Sequence, residues 1–229
     1  FNILEPFNGL FTQGMVCHET YKDKYNNWIS PDEVEVKNGK KVLRKNPTEK
    51  IKIGPSESMS KSKKNTIDPE KIIEMYGADS ARLFILSDSP PEKDVQWSDE
   101  GIASSYKFIQ KLWSLNEKVI LEMESNHEED EGKDLIKFTN KYLKKMTDGL
   151  NTSSYNILIA NLHEMQRFFS KELDKKYSKK TLSENFSKIL ATMIPIIPHL
   201  ANECLERINY NVTEWPKYDE TILVEDIIT

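Results

Sequence analysis

The sequence predicts a mixed α/β segment followed by an all-α segment that folds as an antiparallel four-helix bundle. Two observations predict it. Up to about residue 97, short apolar runs are punctuated by Gly, Pro and Asn; from Gly101 onward the apolar residues recur with the period of an α-helix and keep it. The chain of 229 residues, 38% hydrophobic and 10% aromatic, is long enough for one large domain or two small ones with a buried core. Its 30% of charged residues suits long helices with exposed faces.

Taken in order, residues 11–17 form a short apolar run without helical period and read as a buried strand. Val34-Glu35-Val36 and Lys41-Val42-Leu43 flank Asn38-Gly39, a pair that favours a type I′ turn, so this stretch reads as a hairpin. Ile51-Lys52-Ile53 is a candidate third strand, and residues 54–58 read as a loop. Asp68 is placed to cap a helix that has Pro69 at its first position and Gly77 at its end. A second helix covers about 79–87, with Ala81, Leu83, Phe84, Ile85 and Leu86 inward, until Pro90-Pro91 stops it. Residues 88–98 make a linker that Trp97 pins down.

In the helical part, Ile102, Tyr106, Ile109, Leu112, Trp113 and Ile120 share one stripe, and an acidic loop with Glu128-Glu129-Asp130-Glu131 follows. Leu135, Phe138, Tyr142 and Met146 mark a second helix; Tyr155, Leu158, Leu162, Met165 and Phe169 mark a third. Phe186, Ile189, Leu190, Met193 and Ile197 mark a fourth, interrupted at Pro195 and Pro198 and continuing through Leu205. Short connections make such helices antiparallel neighbours. The tail, 211–229, holds Ile222-Leu223-Val224 as a candidate strand.

The net charge of −5 is not that of a strongly basic nucleic-acid binder, so any RNA contact must use local patches. Residues 1–97 carry 15 basic and 15 acidic side chains, and residues 98–229 carry 17 and 22. Cys17 and Cys204 form no CxxC, which argues against a structural zinc site, and suit a reducing cytoplasm. There is no run of 18 apolar residues and no charged-then-apolar leader, so no membrane role is expected. The chain opens without Met and reads as a fragment of something longer.

The chemistry concentrates in Met59-Ser60-Lys61-Ser62-Lys63-Lys64, a lysine-bearing loop ahead of a capped helix. Such a loop can bind and release a polyphosphate. When a carboxylate attacks the α-phosphate of ATP, charge grows on the departing pyrophosphate, and ammonium groups held there lower the barrier. Serine hydroxyls add hydrogen bonds, and Met59 can anchor the loop. The five residues Met59–Lys63 alone read more readily as a solvated basic loop.

The surroundings narrow the choice. Asn65, Asp68-Pro69, Tyr76-Gly77-Ala78-Asp79 and Arg82 follow the loop in the order S-K-x-N, D-P, Y-G-A-D-x-x-R. With them the chain resembles the K-M-S-K-S region of class I aminoacyl-tRNA synthetases. Glu5-Pro6-Phe7, Gln13-Gly14-Met15-Val16, Trp28-Ile29-Ser30-Pro31 and Ser89-Pro90-Pro91-Glu92-x-Asp94-x-x-Trp97 are similar to the bacterial leucine-specific branch. The resemblance is dense over 5–100 and collinear beyond. It implies that 1–97 is the end of a Rossmann-like catalytic domain, with a small leucine-type insertion at 27–53. Residues 98–210 would be a helical anticodon-binding-type domain, and 211–229 would lead to a further domain. The implied substrates are Mg-bound ATP, leucine and leucine tRNA. A cytoplasmic monomer with no DNA partner is implied, as is inactivity of this stretch alone, since no His-x-Gly-His occurs in it. The first motif lysine falls at Ser58, so Lys61 is the expected catalytic residue, with Lys63 or Lys64 compensating. The other class of function is a non-catalytic tRNA-binding or scaffold module derived from such an enzyme.

Further candidates remain open between two roles. Lys171, Lys175, Lys176, Lys179 and Lys180, and a second group of Lys141, Lys144 and Lys145, are either phosphate contacts or solubilising helix faces. Lys37, Lys40, Lys41 and Lys45 on the hairpin either touch tRNA or are solvated. His18-Glu19 reads as a strand-end pair, His163 and His199 as structural, and Asp79 and Arg82 as local packing residues.

Overall fold

The computed structural model describes residues 7, 9–125 and 132–224, which leaves Glu5-Pro6 and the acidic stretch 128–131 outside the described residues. It divides into two units: Phe1–Lys71 with Asp88–Ser98, and Ile72–Ser87 with Asp99–Thr229. Small sheets fill the first unit and helices the second. The chain order expected, α/β then α, holds.

In the first unit β1 (Val16–Lys22) is central. Along one edge runs β5 (Lys52–Ser58), antiparallel, with Cys17 opposite Ser58 and Tyr21 opposite Ile53. The other edge takes β2 (Trp28–Ile29), antiparallel at Tyr21 and Lys22, and β6 (Val95–Gln96), parallel at Val16 and Cys17. A hairpin of β3 (Val34–Lys37) and β4 (Lys40–Leu43) turns at Asn38 and Gly39, whose φ of 52° and 73° are those of the expected type I′ turn. Tyr21, Ile29 and Val34 make a small core with Leu43 and Ile51.

Two strand expectations need correction. The strand expected over 11–17 begins only at Val16. The backbone of 14–15 is instead held by the turn at 91–95: Gly14 N–H donates to Pro91 O at 2.8 Å, and Met15 N–H to the Asp94 carboxylate at 2.8 Å. Phe11 and Met15 are accordingly half exposed. The stretch 54–58, expected as a loop, is strand. Pro55 is tolerated because β5 is an edge strand with β1 on one side only. The linker 88–98 likewise contributes β6, and Trp97 N–H donates to Cys17 O at 2.8 Å.

Helix α1 (Pro69–Tyr76) starts as expected, with Glu70 N–H on the Asp68 carboxylate at 3.0 Å, and ends at Gly77 with φ of 81°. The second unit comprises the end of α1 with α2 (Ala78–Ser87), α3 (Asp99–Glu124), α4 (Lys133–Asn151), α5 (Tyr155–Glu172), α6 (Lys179–Met193), α7 (Pro198–Arg207) and α8 (Glu220–Val224). Residues 72–87, expected with the first segment, thus pack with the helices, where Leu83 joins their core. On α3 the buried stripe is Ile102, Phe108, Leu112, Leu115, Val119 and Met123, rotated from the expected one; Trp113 is 37% exposed and receives the Arg207 guanidinium on its ring at 4.8 Å. The stripes of α4, α5 and α6 are buried as expected, apart from half-buried Phe138 and Tyr155.

The break between α6 and α7 is held from α2. Arg82 donates to Pro195 O at 2.6 Å and Ile196 O at 2.9 Å, and the buried Asp79 carboxylate accepts from Leu200 N–H at 2.7 Å and His199 N–H at 3.3 Å. Both residues were expected to act locally; they reach another helix because α2 crosses the proline break. Ile222-Leu223-Val224, expected as a strand, is helical. Trp215 and Val212 pack on the helical core, Trp215 Nε1–H donates to Thr147 Oγ1 at 2.9 Å, and Ile222-Leu223 lie in α8.

Candidate functional site

The lysine loop leaves β5 as a tight turn. Met59 N–H donates to Val16 O at 3.1 Å and so extends the β1–β5 pairing by one bond. Lys64 N–H closes the turn on Lys61 O at 3.3 Å, and Lys64 adopts a left-handed φ of 55°. The Ser60 and Ser62 hydroxyls lie 3.0 Å apart, and Ser60 Oγ accepts from Lys63 N–H at 3.3 Å.

Asn65 fixes this turn to the sheet. Its side chain is 1% exposed. Oδ1 accepts from Ser60 N–H at 2.8 Å, while Nδ2 donates to Glu57 O at 3.1 Å, His18 O at 3.2 Å and, more weakly, Ser58 O at 3.4 Å. One amide thus joins the turn to both β1 and β5. The sequence quoted Asn65 within a motif but gave it no role; its burial beside four backbone groups is the missing signal.

The lysines of the loop are not equivalent. Lys63 is ion-paired with Glu57. Lys61 and Lys64 are exposed and form no ion pair among the described residues. Of the two lysines expected to compensate for Ser58, only Lys64 is therefore free of a carboxylate. Ser58 itself ends β5 opposite Cys17, whose thiol is pushed up by burial and by the nearby Asp94.

His18 and Glu19, expected at a strand end, lie within β1, because the strand starts at Val16 and runs on to Lys22. His18 Nδ1 lies 2.8 Å from Glu19 O. Burial pulls the Glu19 carboxyl up, but the Lys41 ammonium and the Tyr21 hydroxyl, at 2.9 Å, bond to it and hold it below the ordinary range. Lys41 is thereby tied to β1, whereas Lys37, Lys40 and Lys45 stay exposed.

In the helical unit the two lysine groups differ. Lys144 pairs with Asp148 at 3.7 Å and lies over the Tyr218 ring, and Lys145 pairs with Glu164 at 2.7 Å. Around the α5–α6 connection only Lys175 is paired, with Glu172 at 2.8 Å and Asp134 at 3.0 Å; Lys171, Lys176, Lys179 and Lys180 are exposed with no ion pair among the described residues. Among the described residues no group of three His, Cys, Asp or Glu is placed to hold a metal, and no helix is long and apolar enough to cross a membrane.

Residues 52–98 match the family described as tRNA synthetases class I (I, L, M and V), and residues 132–229 match the anticodon-binding domain of tRNA ligase. The leucine–tRNA ligase of Wolbachia pipientis subsp. Culex pipiens is 40% identical over 238 residues, covering 100% of this chain and 28% of the relative. That of Orientia tsutsugamushi is 40% identical over 230 residues, with 98% of this chain and 27% of the relative covered. The chain thus spans little more than a quarter of the length of these curated relatives. Among solved structures, the leucyl-tRNA synthetase agnB2 of Agrobacterium radiobacter K84, in a ternary complex with tRNA and LeuAMS, superposes with a TM-score of 0.64 at 20% identity, over 72% of this chain and 23% of that one. Mycobacterium tuberculosis methionyl-tRNA synthetase with methionyl-adenylate gives 0.55 at 18% identity, over 69% and 36%. At these identities the superpositions speak for the fold alone.

Proposed function

We propose that the chain is part of a class I aminoacyl-tRNA synthetase on the leucine–tRNA ligase branch, and that it supplies the phosphate-stabilising loop and a tRNA-binding helical domain to an enzyme that ligates leucine to its tRNA; the matches over 52–98 and 132–229 and the 40% identity to leucine–tRNA ligases support this. The observation that carries this is Lys61, exposed and without an ion pair among the described residues, on a turn that Asn65 anchors to the sheet. A group so placed is available to an incoming anion.

In the proposed reaction the leucine carboxylate oxygen bonds to the α-phosphorus of Mg-bound ATP, and the bond to the β-phosphate oxygen breaks. Pyrophosphate leaves with the electron pair. Lys61 stabilises the charge that grows on it, more in the transition state than in the ground state. Lys64 assists, Ser60 and Ser62 offer hydroxyls, and Lys63 steadies the turn through Glu57. A tRNA hydroxyl oxygen then bonds to the leucyl carbonyl carbon of the adenylate, the bond to the phosphate oxygen breaks, and AMP leaves. We read α3–α6 as the antiparallel four-helix domain that meets the tRNA body, with the unpaired lysines at the α5–α6 connection as contacts. A cytoplasmic, monomeric enzyme suits this.

Lys61→Ala in the complete enzyme is expected to slow leucine-dependent exchange of pyrophosphate into ATP by about 10²–10³-fold, the scale of one transition-state donor, with little change in leucine binding. Ser58→Lys should be neutral or activating. An unchanged rate for Lys61→Ala, with Lys64→Ala abolishing exchange, would move the role to Lys64. Ser58 at the first motif position favours one other reading, a non-catalytic RNA-binding module; exchange unaffected by every lysine of the loop would select it.

A further inference from the structure

His163 was expected to be structural, yet its ring is presented at the surface. It lies on the buried Phe108 ring of α3, with centroids 3.7 Å apart and planes 30° apart. Phe108 is the platform and His163 the exposed layer. The two charges that act on it are both positive. Arg167 follows one turn along α5, and Lys171 one turn further. Lys111 stands one turn beyond Phe108 on α3. Residues four apart on a helix share a face and lie about 5–6 Å apart. Lys111, Arg167 and Lys171 are exposed and make no ion pair among the described residues.

The carboxylate nearest in sequence to His163 is engaged elsewhere: Glu164 pairs with Lys145 of α4. From α2, Arg82 is bound to the carbonyls of the α6–α7 break. The charges that act on His163 are Arg167 from its own helix and Lys111 from α3. In a chain of net charge −5, with lysines of α4 tied to acids, a run of cations that form no ion pair among the described residues is an arrangement that costs self-repulsion. It gains stability only when an external anion arrives.

We propose that Lys111, His163, Arg167 and Lys171 form a phosphate track along α3 and α5 that takes the sugar–phosphate backbone of the tRNA body. The proposal rests on the reading that the helical unit meets tRNA, and adds where and through which groups. Lys171 links the track to Lys176, Lys179 and Lys180. The track carries no base-reading function, since cations on phosphates position an RNA without reading its sequence.

The track has a pH signature. Burial on Phe108, then Arg167 and Lys111, hold the His163 imidazolium below its ordinary pKa in the free protein. A phosphate beside it raises that pKa, so the complex binds more protons than the free protein. Affinity therefore rises as pH falls; the gain is complete below the free-state pKa and is lost as pH rises through that of the complex.

The test uses the complete enzyme and a leucine tRNA transcript, with affinity measured at several salt concentrations and at pH 5.5–8. Lys111→Gln with Arg167→Gln should weaken binding about tenfold at 0.1 M salt. It should also flatten the slope of log affinity against log salt by about 1.5, at roughly 0.7–0.9 per phosphate contact. The charge-matched control, Lys144→Gln with Lys145→Gln, should change the slope by less than half as much. His163→Gln should flatten the pH dependence without changing the salt slope at pH 8. A double variant with the wild-type slope and a native melting curve would overturn the track, as would a control that loses as much as the double variant. A His163→Gln enzyme with wild-type pH dependence would remove His163 from it. These readouts are RNA affinities, whereas the catalytic reading stands or falls on pyrophosphate exchange by the Lys61 variant, so the two failures are distinct.

Discussion

Removing the Asn65 side chain should disable the lysine loop without touching a lysine. Asn65→Ala deletes three bonds of 2.8–3.2 Å, from Ser60 N–H and to Glu57 O and His18 O, together with the longer contact to Ser58 O. At about 1 kcal/mol net per bond the loss is about 3 kcal/mol, reduced to about 2–3 kcal/mol where water reaches the freed groups. Because these bonds hold the turn to the strands, the cost falls on the placement of Lys61. If all of it appears in the transition state, leucine-dependent pyrophosphate exchange slows by roughly 30–150-fold. Asn65→Asp is the sharper probe. It is isosteric, but it places a carboxylate oxygen where Nδ2 now faces the Glu57 and His18 carbonyls, and it buries a charge. It should be at least as damaging as Ala, and amide hydrogen exchange over 59–64 should rise in both variants. An Asn65→Asp enzyme with the wild-type rate, or an Asn65→Ala enzyme that slows with unchanged protection of 59–64, would refute the anchoring role.

Two predictions concern the helical unit. Asp79→Ala withdraws the cap from Leu200 and His199 at the start of α7 and should destabilise the unit by about 2 kcal/mol, with Asp79→Asn milder, as read by thermal unfolding in far-UV circular dichroism. Gly149→Ala puts a methyl 2.4 Å from Leu158 Cδ2, inside a core where Leu158 is 0% exposed; overpacking of about 1–3 kcal/mol outweighs the roughly 1 kcal/mol of helix propensity gained, so the urea midpoint should fall, and a rise would show that Leu158 can move aside.

What could be read from the sequence was what local chemistry decides. Asn38-Gly39 set its turn because two adjacent residues there must take positive φ, and Asp68, Pro69 and Gly77 set the ends of α1 by capping alone. Where the outcome depends on distant groups, the sequence was silent or misleading. Pro55 argued for a loop, but the strand that makes it an acceptable edge lies 35 residues away, where the Thr20 hydroxyl donates to Pro55 O. On α3 apolar residues occupy more than one face, so the phase of the buried stripe was ambiguous until Leu83 and the other helices selected Phe108, Leu115 and Val119 over Tyr106 and Trp113. Asp79 and Arg82 have a spacing that suggests a local pair, and no local pattern reveals carbonyls and amides more than a hundred residues away.

The lysines make the same point about function. Counted along the sequence, Lys63 and Lys61 are equal members of one motif, and Lys141, Lys144 and Lys145 are as dense as Lys171 to Lys180. Folding separates them. Glu57 neutralises Lys63, and Asp148 and Glu164 neutralise Lys144 and Lys145, while Lys61, Lys111, Arg167 and Lys171 form no ion pair among the described residues. An ion pair at the surface is worth little to stability, about 0–1 kcal/mol, but an anionic ligand must displace the carboxylate before it can use the cation. An unpaired cation requires no such exchange. On the proposed reading, the cations without an ion pair among the described residues, at the turn of Lys61 and on the face of α5, are the ones expected to meet phosphate, rather than the positions where lysines are densest.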